Sequence, residues 1–363
     1  MNISVRDSIL AVHRWTGLTV GLVLVFIAIT GVSMAFRAQL EPVVDSDLRD
    51  KHGCTAPLAL DALAARAHAA YPGKAVAQVQ TADGGSAPTI VRFSDLHDIH
   101  LDSCTGSVLG QRNRWGGFFG TVEWLHRLRF IGNTDVSESV GGTVALFTAL
   151  VMVAGGLLVW WPRSWKTFRK GLEFRLELKG RAFDMSLHRT AGFYVAAVLL
   201  LSSLTALTLT FDWARGAIFA ATGTAPMTKK PSIEPSKAPL APLETLLART
   251  LQAVPAARDV QINLPKKPRD TVEVQVIERG APHKEAKTFV YLKPATGEVI
   301  RVDSYAASSL GNKVYRFIGA LHMGAIGGLP VQALLFTGIL GVPLLGFTGV
   351  RSWWRGRRSL NAR

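Results

Sequence analysis

Four long apolar runs without a single charged residue constrain this chain of 363 residues more than any other feature. They occupy residues 18–36, 140–161, 191–211 and 331–350. A helix needs about 20 mostly apolar residues to cross a bilayer, and its backbone polar groups must be bonded within the segment. The sequence therefore predicts four membrane-spanning helices in a lipid bilayer. The first run is too long for the apolar part of a signal peptide, so we expect it to stay uncleaved.

Basic residues predict the orientation of these helices. Residues 163–185, between the second and third runs, carry seven Lys and Arg residues, beginning at Arg163, and the C-terminal tail carries five Arg residues, ending at Arg363. Short basic loops remain in the cytoplasm. We therefore expect both termini on the cytoplasmic side of a bacterial inner membrane. The net charge of +15 follows in part from this topology and does not indicate a nucleic-acid partner.

The two long segments between the runs have room for folded domains. The predicted organisation is a first transmembrane helix with its cytoplasmic N-terminus (1–37), a first periplasmic domain (38–138), a second transmembrane helix (139–162), a basic cytoplasmic loop (163–185), a third transmembrane helix (186–212), a second periplasmic domain (213–329), a fourth transmembrane helix (330–352) and a basic cytoplasmic tail (353–363).

The chain repeats itself, which predicts an internal duplication. His-Arg-Trp-Thr-Gly from His13 aligns with His-Arg-Thr-Ala-Gly from His188, and both the second and the fourth run follow a Leu-His pair. Each long segment contains an apolar helical stretch and then alternating strands with a Thr-Gly turn, the pattern of a β-hairpin. We therefore expect two α+β domains. Cys54 and Cys104 both lie in the first long segment, where they are either bonded as a disulfide or free thiols.

Four histidines at the edges of the runs are the main candidate site. We expect His13 and His188 at the cytoplasmic face, and His126 and His322 at the opposite face. Two imidazoles are a common axial ligand set for an electron-transfer haem, and ionisable residues at spans indicate function. The pattern predicts two bis-histidine haem sites. Arginines that follow three of these histidines are candidate partners of the haem propionates, with snorkelling to lipid phosphate as the alternative: Arg14, Arg127 and Arg189.

The set of motifs resembles the PepSY-associated transmembrane family over nearly the whole length. The motifs are the His-Arg-x-x-Gly openings, the two Thr-Gly hairpins, the Leu-His entries and the exits Trp-Trp-Pro-Arg and Trp-Trp-Arg. Within that family the chain resembles the FoxB-like inner-membrane ferric-siderophore reductases. The resemblance implies two b-type haems and periplasmic release of iron by reduction of a ferric siderophore or another ferric chelate.

Two motifs that the sequence lacks limit the chemistry of the expected haems and their electron supply. The sequence has no Cys-x-x-Cys-His, so the haems are expected to be non-covalent, and no dinucleotide fingerprint, so electrons must come from a separate donor in the cytoplasm or the membrane. His97, Asp98 and His100 form a candidate metal cluster, with a solvated polar turn as the alternative. Trp124, Arg127 and Arg129 flank His126 and either border the electron exit or form an interfacial amphipathic segment.

Three functions are compatible with these patterns. The first is a haem-dependent ferric reductase. The second is a PepSY protein that restrains a peptidase or senses the envelope without redox activity, in which the histidines are structural. The third is a transporter. Internal repeats favour this function, whereas the lack of charged residues within the apolar runs argues against it.

Overall fold

The computed structural model describes residues 4–49, 54, 56–82, 87–162, 164–226, 228–236 and 238–361. Arg163 and Arg363, two of the residues that predict the orientation, lie outside this part. In chain order the helices are α1 (Val5–Met34), α2 (Arg37–Val44), α3 (Leu60–Ala70), α4 (Gly117–His126), α5 (Thr134–Trp160), α6 (Trp165–Gly171), α7 (Gly180–Thr210), α8 (Asp212–Ala221), α9 (Leu243–Ala253), α10 (Leu310–His322) and α11 (Gly328–Asn361). The strands are β1 (Val76–Ala82), β2 (Thr89–Phe93), β3 (His97–Leu101), β4 (Val108–Asn113), β5 (Ala257–Asn263), β6 (Val272–Glu278), β7 (Lys287–Leu292) and β8 (Val299–Asp303).

Four helices in the described part are long and apolar enough to cross a membrane, namely α1, α5, α7 and α11. Three of them extend well beyond the predicted runs. The first contains His13, α7 begins at Gly180 inside the predicted basic loop, and α11 runs through most of the predicted basic tail. Charged residues at the ends of a spanning helix can reach the interface, so hydropathy marks the lipid-facing part and not the helix ends.

The chain divides into two compact units. We call the first the membrane unit (Met1–Arg37, Thr121–Ala217 and Leu321–Arg363) and the second the sheet unit (Ala38–Gly120 and Ile218–Ala320). In the membrane unit α11 packs against α1 and α7, and α5 packs against the same two helices. Small and branched apolar side chains, including Ala28, Val195 and Val342, form the buried centre of this bundle.

Helix α5 changes its hydrogen-bond pattern in the middle of the membrane unit. Residues Thr148–Gly155 form a π-helical segment within the longer helix. A π segment widens the helix and shifts its carbonyl groups relative to the regular α pattern, and such segments are frequent at functional sites. The carbonyl of Val151 lies in this segment, and it contacts one of the four histidines described below.

The sheet unit contains one antiparallel sheet with eight strands in the described residues. The strand order is β4-β3-β2-β1-β5-β6-β7-β8. The order helix, four strands, helix occurs twice along the chain, as α3–β1–β2–β3–β4–α4 and as α9–β5–β6–β7–β8–α10. The predicted helical stretches and Thr-Gly hairpins are thus confirmed. Cys54 is joined to Cys104 by a disulfide.

The prediction of two separate domains is wrong, because the two long segments share one sheet and one core. Strand β1 pairs with β5 from Gln78–Asn263 to Ala82–Asp259. An exposed strand edge is a site of unwanted pairing, and the central pairing of β1 with β5 covers one edge in each half. Leu63 of α3 and Leu246 of α9 are fully buried in the same apolar cluster.

The two core helices of the sheet unit also cap each other. The Asp61 carboxylate, in the first turn of α3, accepts hydrogen bonds from the backbone N–H groups of Leu243 (2.8 Å) and Glu244 (3.0 Å) at the start of α9. In return the Glu244 carboxylate accepts from the N–H of Leu60 (2.9 Å). Carboxylates stabilise helix N-termini by about 1 kcal/mol each, so this exchange ties the halves of the unit together.

Candidate functional site

His13 on α1 and His188 on α7 face each other in the membrane unit, and we call them the first histidine pair. Their ring centroids are 6.4 Å apart and the ring planes are nearly perpendicular, at 85°. The two rings are too far apart for direct stacking contact.

Both rings of the first pair are fixed through Nδ1. His13 Nδ1 lies 3.1 Å from the carbonyl oxygen of Val151, and His188 Nδ1 lies 3.0 Å from that of Leu345. His188 Nδ1 is also 3.2 Å from the Thr348 hydroxyl oxygen. A carbonyl can only accept, so Nδ1 carries the proton in each ring, and Nε2 keeps its lone pair.

We call His126 and His322 the second histidine pair. Their rings are also fixed through Nδ1, but they lie on other helices than the first pair. Each is the last residue of a helix, α4 or α10. His126 Nδ1 lies 3.0 Å from the Ile27 carbonyl oxygen and 3.2 Å from the Thr30 hydroxyl. His322 Nδ1 lies 2.8 Å from the Thr205 hydroxyl and also bonds the backbone of Ser202.

The threonine hydroxyls are acceptors in these contacts. Thr30 donates its own proton to the carbonyls of Phe26 and Ile27, and Thr205 donates to those of Leu201 and Ser202. The hydroxyl oxygen is then free to accept from the imidazole. Both rings of the second pair therefore have Nδ1 protonated, as in the first pair.

Burial disfavours the charged form of the second pair. It lowers the pKa of His126 below its usual value, and burial together with the nearby charge of His126 lowers the pKa of His322 to about 4. Neutral imidazole with a free Nε2 is the form of histidine that binds metal ions.

The two pairs lie at different levels of the bundle. His13 and the Ile27 carbonyl that holds His126 are both on α1, and His188 and the Ser202 carbonyl that holds His322 are both on α7. Each separation is 14 residues along its helix, which is about 21 Å at a rise of 1.5 Å per residue. That distance covers most of the roughly 30 Å hydrocarbon thickness of a bilayer.

Three of the four rings pack against a glycine on the neighbouring helix. A Cβ atom built on Gly156 would be 3.0 Å from the Cε1 of His13, one on Gly31 would be 3.1 Å from the Cε1 of His126, and one on Gly349 would be 3.4 Å from the Cε1 of His188. Gly156 thus allows a close approach of the His13 ring to α5. Gly17 and Gly155 approach apolar side chains instead.

The geometry of the first pair fits axial ligation of one metal ion. A metal–imidazole bond is about 2 Å long and the ring centroid lies about 1 Å behind the nitrogen, so two opposite ligands have centroids about 6 Å apart. In the described residues no group of three or more His, Cys, Asp or Glu side chains forms a metal site. Two imidazoles at this spacing fit a haem, which His13 and His188 would hold and which would supply a one-electron carrier.

Comparison with known families agrees with the motifs in the sequence. A family model described as the PepSY-associated TM region matches residues 10–356. The chain belongs to this family. No curated protein matches the chain. The membership predicted from the motifs is confirmed, and all four histidines lie within the matched part of this PepSY-associated membrane protein.

The arginines predicted as propionate partners differ from one another. Arg14 and Arg189 have exposed side chains and form no ion pair with any residue in the described part. Arg127 is 45% exposed and its charge is shared between Glu123 (3.5 Å) and Glu138 (3.7 Å). None of the three side chains is buried beside its histidine. A position next to a histidine in the sequence therefore does not place the arginine side chain facing the histidine pair.

Asp184 is a buried acid beside the first pair that the sequence analysis missed. Its side chain has no exposed surface and pairs with Arg351 and Arg355 of α11. It precedes His188 by four residues, one helical turn, so the two lie on the same face of α7. The sequence signal was available, because Asp184 is an acid inside a basic segment at this spacing. The Asp184 cluster locks α7 to the part of α11 that holds His188.

His97, Asp98 and His100, the candidate metal cluster, lie on strand β3 and not in a solvated turn. His97 stacks on Tyr71 with centroids 4.1 Å apart, whereas Asp98 is buried and accepts from Arg92 Nε at 2.6 Å. His100 is also buried, and burial lowers its pKa. Alternate residues of a strand point to opposite faces, so His97 is separated from Asp98 and His100. Asp98 is already paired with an arginine, which leaves no metal site here.

Proposed function

We propose that this protein is a di-haem electron-transfer protein of the bacterial inner membrane that reduces a periplasmic ferric chelate. The observation that carries the proposal is the shared geometry of the two histidine pairs. In all four rings Nδ1 is anchored by a backbone carbonyl or hydroxyl of a neighbouring helix, and Nε2 is left to bind iron. The pairs lie at two levels of one helical bundle, where a two-haem conduit needs them.

Each residue set has a defined task in this proposal. His13 and His188 hold one non-covalent b-type haem, and His126 and His322 hold the other. The haems supply one-electron carriers when bound. The anchoring of each Nδ1 fixes the ring orientation and makes Nε2 a stronger donor, which favours a low-spin iron with two strong ligands.

The orientation supports electron flow towards the periplasm. Described basic residues such as Lys166, Arg169 and Lys170 lie in α6, next to the end of α5 near the first pair, and short basic segments stay in the cytoplasm. The disulfide Cys54–Cys104 is in the sheet unit, and disulfides persist in oxidising compartments such as the periplasm. We therefore assign the first pair to the cytoplasmic side and the sheet unit to the periplasm, with the twofold occurrence of its elements reflecting an internal duplication.

Iron reduction is the reaction proposed for the periplasmic side. One electron from a cytoplasmic or membrane donor converts one Fe(III) to one Fe(II) in a chelate, with a ferric siderophore as the substrate that the family resemblance implies. Hard oxygen ligands hold Fe(III) more tightly than Fe(II), so the reduction releases the metal. The described residues of the sheet unit contain no cluster of three metal-ligating side chains, which favours a chelated substrate over free iron.

Haem content tests the proposal directly. Protein purified from haem-replete cells is expected to carry about two non-covalent haems per chain with a low-spin bis-histidine absorption spectrum. A colourless preparation would show that the histidines are structural and would leave a regulatory PepSY function in place of electron transfer.

A second experiment tests the substrate. Dithionite-reduced protein under anaerobic conditions should be reoxidised by a ferric siderophore, and the Fe(II) formed should be trapped by a ferrous chelator. His126→Ala should slow this reaction much more than His68→Ala, a histidine on α3 of the sheet unit. If the reduced haems ignore a panel of ferric siderophores but react quickly with another oxidant, electron transfer stands and iron reduction does not.

A further inference from the structure

The turn that follows His126 places one arginine in an unusual environment. The chain leaves α4 at His126, adopts a left-handed conformation at Leu128 (φ 53°) and enters α5 at Thr134. The Ser137 hydroxyl donates to the carbonyl of Leu128 at 3.0 Å and fixes the turn. A non-glycine residue is disfavoured in this region of backbone conformation, so the turn is held in place by its surroundings.

Arg129 lies in this turn with its side chain only 11% exposed. Its Nη2 donates to Glu138 at 3.0 Å. Its Nε and Nη1 are buried and have no hydrogen-bond partner among the described residues. Buried donors without acceptors are costly, and a guanidinium has five donors but no way to lose its charge.

The same turn is packed against the helix that anchors His126. The ring of Phe130 lies 5.8 Å from that of Phe26 on α1, and Phe26 precedes Ile27, whose carbonyl holds His126 Nδ1. Phe130 also contacts Trp124, at 5.7 Å between ring centroids. The backbone of residues 129 and 130 therefore runs beside α1 at the level of the second histidine pair.

We propose that Arg129 binds a propionate carboxylate of the haem held by His126 and His322. A carboxylate supplies the acceptors that the buried guanidinium lacks, and arginine is well suited to planar oxygen acceptors. The Glu138 carboxylate then orients the guanidinium from the other side. This assignment rests on the proposed di-haem function and replaces Arg127, the partner expected from sequence adjacency.

Arg127 is the matched control for Arg129. It lies two residues earlier in the same turn and also pairs with Glu138, but its side chain is 45% exposed and a second acid, Glu123, lies 3.5 Å away. Substitution of either arginine removes one positive charge close to the same histidine. Only the substitution of Arg129 removes donors that are buried without an acceptor.

The test measures the loss of haem from Arg129→Gln and Arg127→Gln to excess apomyoglobin, which captures free haem. We expect one of the two haems to leave Arg129→Gln about 10- to 100-fold faster than the wild type, since a hydrogen bond to a charged group is lost, and Arg127→Gln to stay within about twofold. Arg129→Lys should be intermediate because it keeps the charge without the fork. The midpoint potential of the same haem should fall in Arg129→Gln, since a nearby positive charge is removed.

A chemical variant of the haem makes the test specific. In protein reconstituted with haem dimethyl ester, whose propionates carry no charge, wild type and Arg129→Gln should lose the second haem at equal rates. The haem of the first pair reports whether the bundle is intact in each variant. Equal effects of Arg127→Gln and Arg129→Gln, or an undiminished difference with the ester, would overturn the assignment of Arg129. Absence of haem from the wild type would instead overturn the proposed function.

Discussion

The two histidine pairs have the same ring chemistry but are built by different parts of the fold. His13 and His188 lie within the long helices α1 and α7, and their rings bond to α5 and α11. His126 and His322 end the short helices α4 and α10, and the roles are reversed, because α1 and α7 now supply the acceptors. The position of the first pair is thus set by helix packing alone, whereas the second pair also depends on two helix ends and the turns that follow them.

The pairs also differ in the charges beside them. The first has a buried acid, Asp184, whose charge is matched by two arginines. The second has a buried arginine, Arg129, that is matched by one acid and whose Nε and Nη1 have no acceptor among the described residues. Unpaired buried donors thus distinguish the charged groups beside the second pair from the Asp184 cluster in the described part of the chain.

The largest expected effect comes from removing the ligands themselves. His13→Ala or His188→Ala should remove only the first haem, and His126→Ala or His322→Ala only the second, so each variant should retain about half of the haem. Haem per chain and the redox titration of the remaining haem measure this, with His68→Ala as the control. If His13→Ala and His322→Ala affect the same haem, the proposed pairing of the histidines is wrong.

The next effect concerns the Asp184 cluster and should touch the first pair alone. Arg351→Ala combined with Arg355→Ala leaves a fully buried carboxylate without a partner and should destabilise the bundle by about 3 kcal/mol or more. Asp184→Asn should cost less, because the two arginines that remain are over a third exposed and can reach solvent or lipid phosphate. Thermal unfolding and the rate of haem loss from the first site provide the measurement.

A cost for Asp184→Asn equal to that of the double arginine variant would contradict this account. Equal loss of both haems would do so as well, since it would mean that the cluster supports the whole bundle and not the contact between α7 and α11.

Glycine substitutions should produce smaller and site-specific effects. Gly156→Ala should disturb the first haem and Gly31→Ala the second, because each new Cβ would lie 3.0–3.1 Å from a histidine Cε1. Overpacking of this kind costs about 1–3 kcal/mol. Gly349→Ala is the control, since its Cβ would make an ordinary contact of 3.4 Å with His188. Haem retention that ranks Gly349→Ala below Gly156→Ala would show that these close approaches do not position the rings.

The sequence was sufficient to predict the parts of the fold that depend on local pattern. Uncharged runs predict the spans, and periodicity with Thr-Gly turns predicts α3, α9 and the hairpins. The pairing of β1 with β5 was missed, because it joins residues about 180 positions apart, such as Gln78 and Asn263. The alternation of polar and apolar residues in these two strands marks them as strands but does not identify their partners.

The candidate site was predicted to the level of the four histidines and no further. The histidines stand out because ionisable residues are rare at spans. The groups that orient these rings cannot be recognised in the sequence. They are the backbone carbonyls of Val151, Leu345 and Ile27 on other helices, and every residue type has a backbone carbonyl. The difference in burial between Arg127 and Arg129 was not predicted either, since it arises on the two sides of the left-handed turn at Leu128.

The smallest expected effect comes from removing a threonine hydroxyl that contacts one of the histidine rings. Thr348→Val removes one of the two acceptors of His188, and Thr205→Val removes one of those of His322, while the backbone contacts remain. A hydrogen bond to Nδ1 makes the imidazole a stronger donor, so its loss should raise the midpoint potential of the affected haem slightly, with a change in stability of about 1 kcal/mol. Thr19→Val is the control, because that hydroxyl bonds only to its own helix. Redox titration should show the first haem shifted in Thr348→Val, the second in Thr205→Val and neither in Thr19→Val. Shifts of both haems in one threonine variant would mean that these hydroxyls act on the bundle as a whole and not through the ring that each contacts.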